Sequence, residues 1–170
     1  MPQVAGLLLT GGSSRRMGRP KAELFAAGVA AALSQVAEPV YEVGPSWTGL
    51  AALDDPGEGP LAAIAAAGLT ADALVLACDL PFVTVELLRW LADQPGTAVP
   101  VVGGRVQPLC ARYAGPDLAR AVEVVAGGGR RMRDLLDGAR VTWLDEAAWS
   151  AVAEARAFTD VDTPEDLSRL

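Results

Sequence analysis

The chain contains no histidine. That absence removes histidine-based nucleophilic triads, imidazole metal ligands and histidine proton shuttles in one step. Lysine is almost as scarce, for of 14 basic residues only Lys21 is not an arginine. Cysteine occurs only at Cys78 and Cys110, too few for a disulfide scaffold and suited to a reducing compartment. The N-terminus lacks a basic leader, and no apolar run approaches the roughly 20 residues that span a bilayer. Positive charge is in deficit too, and a net charge of −7 argues against non-specific binding to nucleic acid or anionic membrane. The expectation is a cytoplasmic protein with no nucleic-acid and no membrane partner. Its chemistry must run on carboxylates, arginine, one lysine, hydroxyls, backbone amides or a bound metal.

What is present is enough to fold. With 51% hydrophobic and 21% charged residues, the chain can build a real core, and its 170 residues suit one domain spanning 1–170. Apolar runs at Val4–Leu9, Pro39–Val43, Ala73–Ala77, Thr97–Val102 and Val141–Leu144 read as strands. Helical stretches at Ala30–Val36, Pro60–Leu69, Thr84–Ala92, Leu118–Val125 and Arg131–Leu136 alternate with them. Thr97–Val102 and Val106–Tyr113 flank Gly103-Gly104 like a hairpin. Near the end, Thr163-Pro164-Glu165-Asp166 spells an N-cap, a proline at the first helical position and a capping-box acid. The pattern predicts a single α/β domain: a doubly wound, mostly parallel, Rossmann-like sheet with a small hairpin added.

The richest motif is L-L-L-T-G-G-S-S-R-R-M-G-R-P-K, Leu7 to Lys21. A strand runs into paired glycines, and Arg15, Arg16, Arg19 and Lys21 follow within seven residues of an otherwise acidic chain. Glycines let backbone N–H groups approach an anion closely, and the cations neutralise a polyphosphate. A Walker loop would need Gly-Lys-Ser/Thr, whereas Gly18 is followed by Arg19-Pro20-Lys21. The dinucleotide fingerprint is absent, and Arg19-Pro20 is expected to obstruct a helix start. A solvated basic turn after an edge strand is the alternative reading.

The loop resembles the signature of the molybdenum cofactor guanylyltransferases, a family of the nucleotidyltransferase superfamily. Further matches follow in order: G-E-G-P-L at Gly57–Leu61, A-C-D-L-P at Ala77–Pro81, R-V-Q-P-L-C-A at Arg105–Ala111, G-R-R-M-R-D-L-L at Gly129–Leu136 and D-V-D-T-P-E-D-L at Asp160–Leu167. The resemblance covers essentially the whole chain. It implies a nucleoside triphosphate at the C-terminal ends of the strands, with Leu9, Gly11 and Gly12 against the nucleotide and Arg16 and Lys21 on the triphosphate. Asp79 corresponds to the magnesium ligand, and Asp55, with Asp54 as the other candidate, to the acid near the nucleoside. The sequence departs from the family at Thr10 and Pro20, in a short segment after Lys21, and at Val43-Gly44, where the family has an asparagine.

Asp79 follows A-L-V-L-A-C directly, where a parallel strand delivers it to the active edge of a sheet. Spacing alone leaves two readings, a metal ligand or a turn-forming aspartate ahead of Pro81. The resemblance favours the metal. For Asp162 it implies a second metal ligand, with an acceptor contact or helix-cap charge as the alternatives, and for Asp160 the same alternatives stay open. Arg130, Arg131 and Arg133 form a second cation cluster, and Gln107-Pro108 is a candidate lining of the acceptor pocket.

The activity implied is transfer of GMP from GTP to the phosphate of molybdopterin, with Mg²⁺ as cofactor and pyrophosphate as product. Molybdoenzymes or their chaperones are further expected partners. Catalytic roles fall to Arg16, Lys21 and Asp79. A phosphate monoester is already largely ionised at pH 7, so such a reaction needs no general base and tolerates the lack of histidine. A cytidylyltransferase, a nucleotidyltransferase with another phosphorylated acceptor, and a non-catalytic carrier of molybdenum cofactor are the alternatives.

Overall fold

Paired strands are covered on both faces by helices in a computed structural model that describes residues 3–11 and 20–168. The strands are β1 (Ala5–Leu9), β2 (Val40–Val43), β3 (Ala51–Leu53), β4 (Ala73–Ala77), β5 (Thr97–Val102), β6 (Arg105–Val106), β7 (Cys110–Tyr113) and β8 (Val141–Leu144). Helices α1 (Lys21–Leu33), α2 (Pro60–Ala67), α3 (Val85–Ala92), α4 (Gly115–Ala126), α5 (Met132–Leu136), α6 (Glu146–Trp149) and α7 (Pro164–Ser168) connect them, with a 3-10 turn at Ala155–Phe158. The sheet runs β3-β2-β1-β4-β7-β5-β6, and β8 pairs with β5. β3, β2, β1 and β4 are parallel neighbours, β7 runs antiparallel to β4 and β5, and β8 is parallel to β5. A mostly parallel, doubly wound sheet is what the alternation of elements predicts.

Side-chain alternation along the strands divides the core. Leu8, Leu74 and Leu76 face α1, α3, Trp149 and Phe158, while Leu7, Leu9 and Val75 face α2, α4 and α5. Both faces are apolar, so β1 and β4 read as continuous apolar runs rather than alternating ones. No helix among the described residues is long and apolar enough to cross a membrane.

Two local expectations change. Helix α1 begins at Lys21, nine residues ahead of the expected Ala30 start, with Pro20 as its N-cap at φ −60° and ψ 127°. A proline there removes no helical hydrogen bond, so Pro20 marks a helix start rather than obstructing one. The hairpin is also more than an addition. β6 pairs with the end of β5 across Gly103-Gly104, but the returning arm breaks at Pro108, which has no N–H to continue the ladder. Its remainder, β7, enters the sheet between β4 and β5.

Candidate functional site

The order of the strands creates the site. After β1 the chain crosses through α1 on one face, and after β3 it returns through α2 on the other to form β4 beside β1. A crevice opens at such a switch point, beyond the carboxyl ends of the strands. Leu9 of β1 lies opposite Ala77 of β4, and the Cys78 N–H donates to the Leu9 carbonyl at 3.1 Å. The glycine loop and Asp79 therefore leave the sheet side by side.

Lys21, the first residue of α1, reaches this edge. Its Nζ donates to Asp79 Oδ2 at 3.1 Å and also to Asp162 Oδ1. Asp162 arrives from the C-terminal segment, which is tied to the Asp79 loop because the N–H of buried Val161 donates to the Asp79 carbonyl at 3.0 Å. Asp162 does not supply the cap of α7. Thr163 and Asp166 do so, as the capping-box spacing predicts: Asp166 N–H donates to Thr163 Oγ1 at 3.1 Å, and Thr163 N–H to Asp166 Oδ2 at 3.0 Å. The Asp162 carboxylate faces the site, where it meets Lys21.

Asp79, Asp160 and Asp162 each offer an oxygen, and these oxygens lie within 4.8 Å of one another. Crowding shows in the electrostatics. Desolvation of the Asp160 carboxyl, although the residue as a whole is exposed, raises its pKa, and the Asp162 and Asp79 carboxylates push it further. Burial opposes the charge on Lys21, but its bonds to Asp162 and Asp79 outweigh that and hold its pKa above the ordinary lysine value. Three clustered carboxylates give a hard oxygen donor set that suits a divalent cation such as Mg²⁺, with the Lys21 ammonium lying among them.

Two cavities meet at Asp79. The first, of about 380 Å³, is lined by Leu9, Gly11, Lys21, Asp55, Trp47 and Asp79 among others. Asp55 lines it and Asp54 does not. The Asp55 carboxylate accepts from the Gly57 N–H at 2.8 Å and lies so close over Gly11 that an added Cβ would sit 1.5 Å from Oδ2. Only glycine fits at Gly11 while Asp55 keeps that place. The second cavity, of about 500 Å³, shares Ala77, Asp79 and Leu109 with the first and adds Arg105, Gln107, Pro108, Thr159 and Asp160. Gln107-Pro108 thus lines the space next to the nucleotide-sized one. Arg130, Arg131 and Arg133 line neither, and the N–H groups of Arg130 and Arg131 instead donate to Asp134 at the start of α5. Gly12, Arg15, Arg16 and Arg19 lie outside the described residues. Cys78 and Cys110 are free and buried, and burial, joined at Cys78 by the Asp79 charge, pushes both thiols up to about 12, so neither is a nucleophile at neutral pH.

Sequence reasoning missed Glu42, a wholly buried carboxylate on β2. It accepts from Thr10 Oγ1 at 2.9 Å, the Trp47 N–H at 2.8 Å, the Thr48 N–H at 3.0 Å and Thr48 Oγ1 at 2.5 Å. Burial penalises its charge, but the bonds from Thr48, Trp47 and Thr10 outweigh that and lower its pKa. A glutamate inside a short apolar strand was the available signal, and Thr10 has in Glu42 its reason to be a threonine. The same packing accounts for Gly44: at φ +130°, an added Cβ would lie 2.7 Å from the Gly11 nitrogen, which leaves no room for an asparagine.

Glu42→Gln turns one acceptor oxygen into a donor facing the donors of Thr48. We expect a loss of about 1–3 kcal/mol, read as a lower urea midpoint at unchanged slope. A carboxylate with a depressed folded pKa stabilises above its unfolded pKa and loses that contribution as pH falls through the folded value. The gap between wild type and variant therefore narrows in acid.

A doubly wound sheet bearing carboxylates, a lysine and two joined cavities at its switch point has the architecture of an α/β nucleotidyltransferase. The chain superposes on the crystal structure of molybdopterin-guanine dinucleotide biosynthesis protein A from Archaeoglobus fulgidus with a TM-score of 0.81, covering 98% of this chain and 96% of that one at 24% identity. Residues 6–147 match the MobA-like NTP transferase domain, and the chain belongs to that family. A probable molybdenum cofactor guanylyltransferase from Pelotomaculum thermopropionicum is 35% identical over 98% of this chain and 91% of its own length. Another, from Mycolicibacterium paratuberculosis, is 33% identical over 99% of this chain and 95% of its own length.

Proposed function

We propose that this protein is a molybdenum cofactor guanylyltransferase, one domain over residues 1–170, working in the cytoplasm with GTP and molybdopterin as substrates. The observation that carries this reading is the meeting of two cavities at Asp79, beside the one lysine and the Asp160–Asp162 segment. GTP occupies the cavity of Leu9, Gly11 and Asp55, and the family resemblance assigns Gly12 and Arg16 to the nucleotide as well. The molybdopterin phosphate enters from the side of Arg105 and Gln107. One of its oxygens bonds to the α-phosphorus of GTP while the α–β bridging P–O bond breaks, and pyrophosphate carries the electron pair away.

The chain's residues position and stabilise charge. Lys21 and Arg16 neutralise the departing pyrophosphate, and backbone N–H groups of the glycine loop hold the triphosphate. No proton has to be abstracted from an ionised phosphate, which is why carboxylates, cations and amides suffice. Asp79 and Asp162, with Asp160 beside them, are the residues that would hold Mg²⁺, which would neutralise phosphate oxygens at the reacting centre. Two buried free thiols are in keeping with a reducing compartment.

The test supplies GTP, molybdopterin and Mg²⁺ to the purified protein and measures pyrophosphate. Release that is abolished by EDTA and not supported by CTP is expected. At about 100 times its Kd, Mg·GTP adds ~2.7 kcal/mol, a rise in Tm of roughly 5–10 °C for a chain of this size. Equal turnover with CTP overturns the choice of base. Tight GTP binding without pyrophosphate release makes the protein a carrier.

A further inference from the structure

Trp47 is 40% exposed, yet it lines the first cavity together with Gly11, Pro45 and Asp55. Trp149 is buried in the core, and the other exposed tryptophan, Trp143, lines none of the described cavities. An indole held open to water at a cavity mouth costs hydration free energy that burial would recover. Its attachment is nevertheless firm. The Trp47 N–H and both donors of Thr48 hang from the buried Glu42 carboxylate, and Thr10 Oγ1 binds the same carboxylate from the end of β1. Gly44 is packed against the Gly11 nitrogen, so the loop carrying Trp47 is fastened to the glycine loop itself. The chain spends a buried charge to hold an exposed aromatic face beside the nucleotide cavity.

We infer that Trp47 is the base-binding face of the nucleotide site, its indole stacking on the purine ring of the bound triphosphate, with Glu42 as the residue that positions it. This rests on the nucleotidyltransferase reading above. Stacking engages the π-face and leaves the base edge unread. Trp47 therefore raises affinity for GTP and ATP alike, in proportion to ring area, and does not choose between them.

The experiment measures binding of GTP, ATP and inorganic tripolyphosphate to wild type, Trp47→Phe and Trp47→Ala by calorimetry with Mg²⁺ present. Trp47→Ala should weaken GTP and ATP by the same factor, roughly 5- to 150-fold, and tripolyphosphate by less than about twofold. Trp47→Phe keeps most of the affinity because it keeps a ring. GTP, but not tripolyphosphate, should quench indole emission in wild type, and the quench should be missing in Trp47→Phe. GTP affinity unchanged in Trp47→Ala overturns the inference, as does an equal loss for GTP and tripolyphosphate, which would assign Trp47 to loop structure alone. A wild-type protein that binds neither ligand fails the nucleotide reading itself, an outcome distinct from both.

Discussion

Asp79→Ala is expected to lower turnover at least about 10³-fold while the protein stays folded. Asp79 is the carboxylate that borders both cavities, contacts Lys21 and lies within reach of Asp160 and Asp162. Its structural duty is carried by the backbone, since the Asp79 carbonyl accepts from Val161 whatever the side chain. Removing the carboxylate also relieves crowding at Asp160, so the change in stability should stay within about 1 kcal/mol. Added Mg²⁺ should not restore the rate, because the missing element is a fixed ligand rather than metal occupancy. Turnover within about tenfold of wild type, with an unchanged Tm, would remove Asp79 from the chemistry.

Lys21→Met separates two consequences of one ammonium by their opposite signs. The thioether keeps the apolar stem and deletes the charge. Triphosphate binding should weaken by about 10- to 150-fold, the equivalent of one charge-assisted phosphate contact. Divalent cation binding to the nucleotide-free protein should tighten, because the ammonium at Asp79 and Asp162 no longer competes for those carboxylates. Mn²⁺ titration and GTP titration of the same variant check the pair. As the only lysine, Lys21 is also the one side-chain amine an acylating reagent can reach, and Mg·GTP should protect it. Weaker metal binding in the variant, or labelling indifferent to nucleotide, would contradict the assignment.

Legibility followed the range of the interaction that decides each feature. β4 at Ala73–Ala77 and β5 at Thr97–Val102 have the expected bounds, because strands buried on both faces are apolar runs closed by turns. β8 at Val141–Leu144 has them too, although Thr142 and Trp143 are exposed. Thr84 caps α3 as its position implies, its Oγ1 accepting from the Leu87 N–H at 3.2 Å. β3 escaped notice, since Ala51–Leu53 is three residues of weak preference held by pairing with β2 and by Leu53 against the core. The short α6 and the 3-10 turn were likewise hidden, their apolar residues being recruited one at a time by the core around Trp149 and Phe158. Helix α1 was half legible: its Ala-rich end stood out, while its start was obscured by a proline that is harmful inside a helix and harmless at its cap.

What the sequence determined by itself is chemical and local. The absence of histidine, the single lysine, the glycine pair after a buried strand, Asp79 at a strand end and the Thr163–Asp166 cap follow from residue type and spacing, which act within a few residues. Tertiary structure decided which of these groups meet. Lys21 and Asp162 lie far apart along the chain and touch because α1 begins on Pro20 and Val161 binds the Asp79 loop. Asp55 lies over Gly11, a placement that the missing Cβ permits. Glu42 takes the Trp47 and Thr48 donors from the loop just after its own strand but gained Thr10 only when β2 was laid beside β1, since a charge inside an apolar strand is tolerable only where folding brings donors to it.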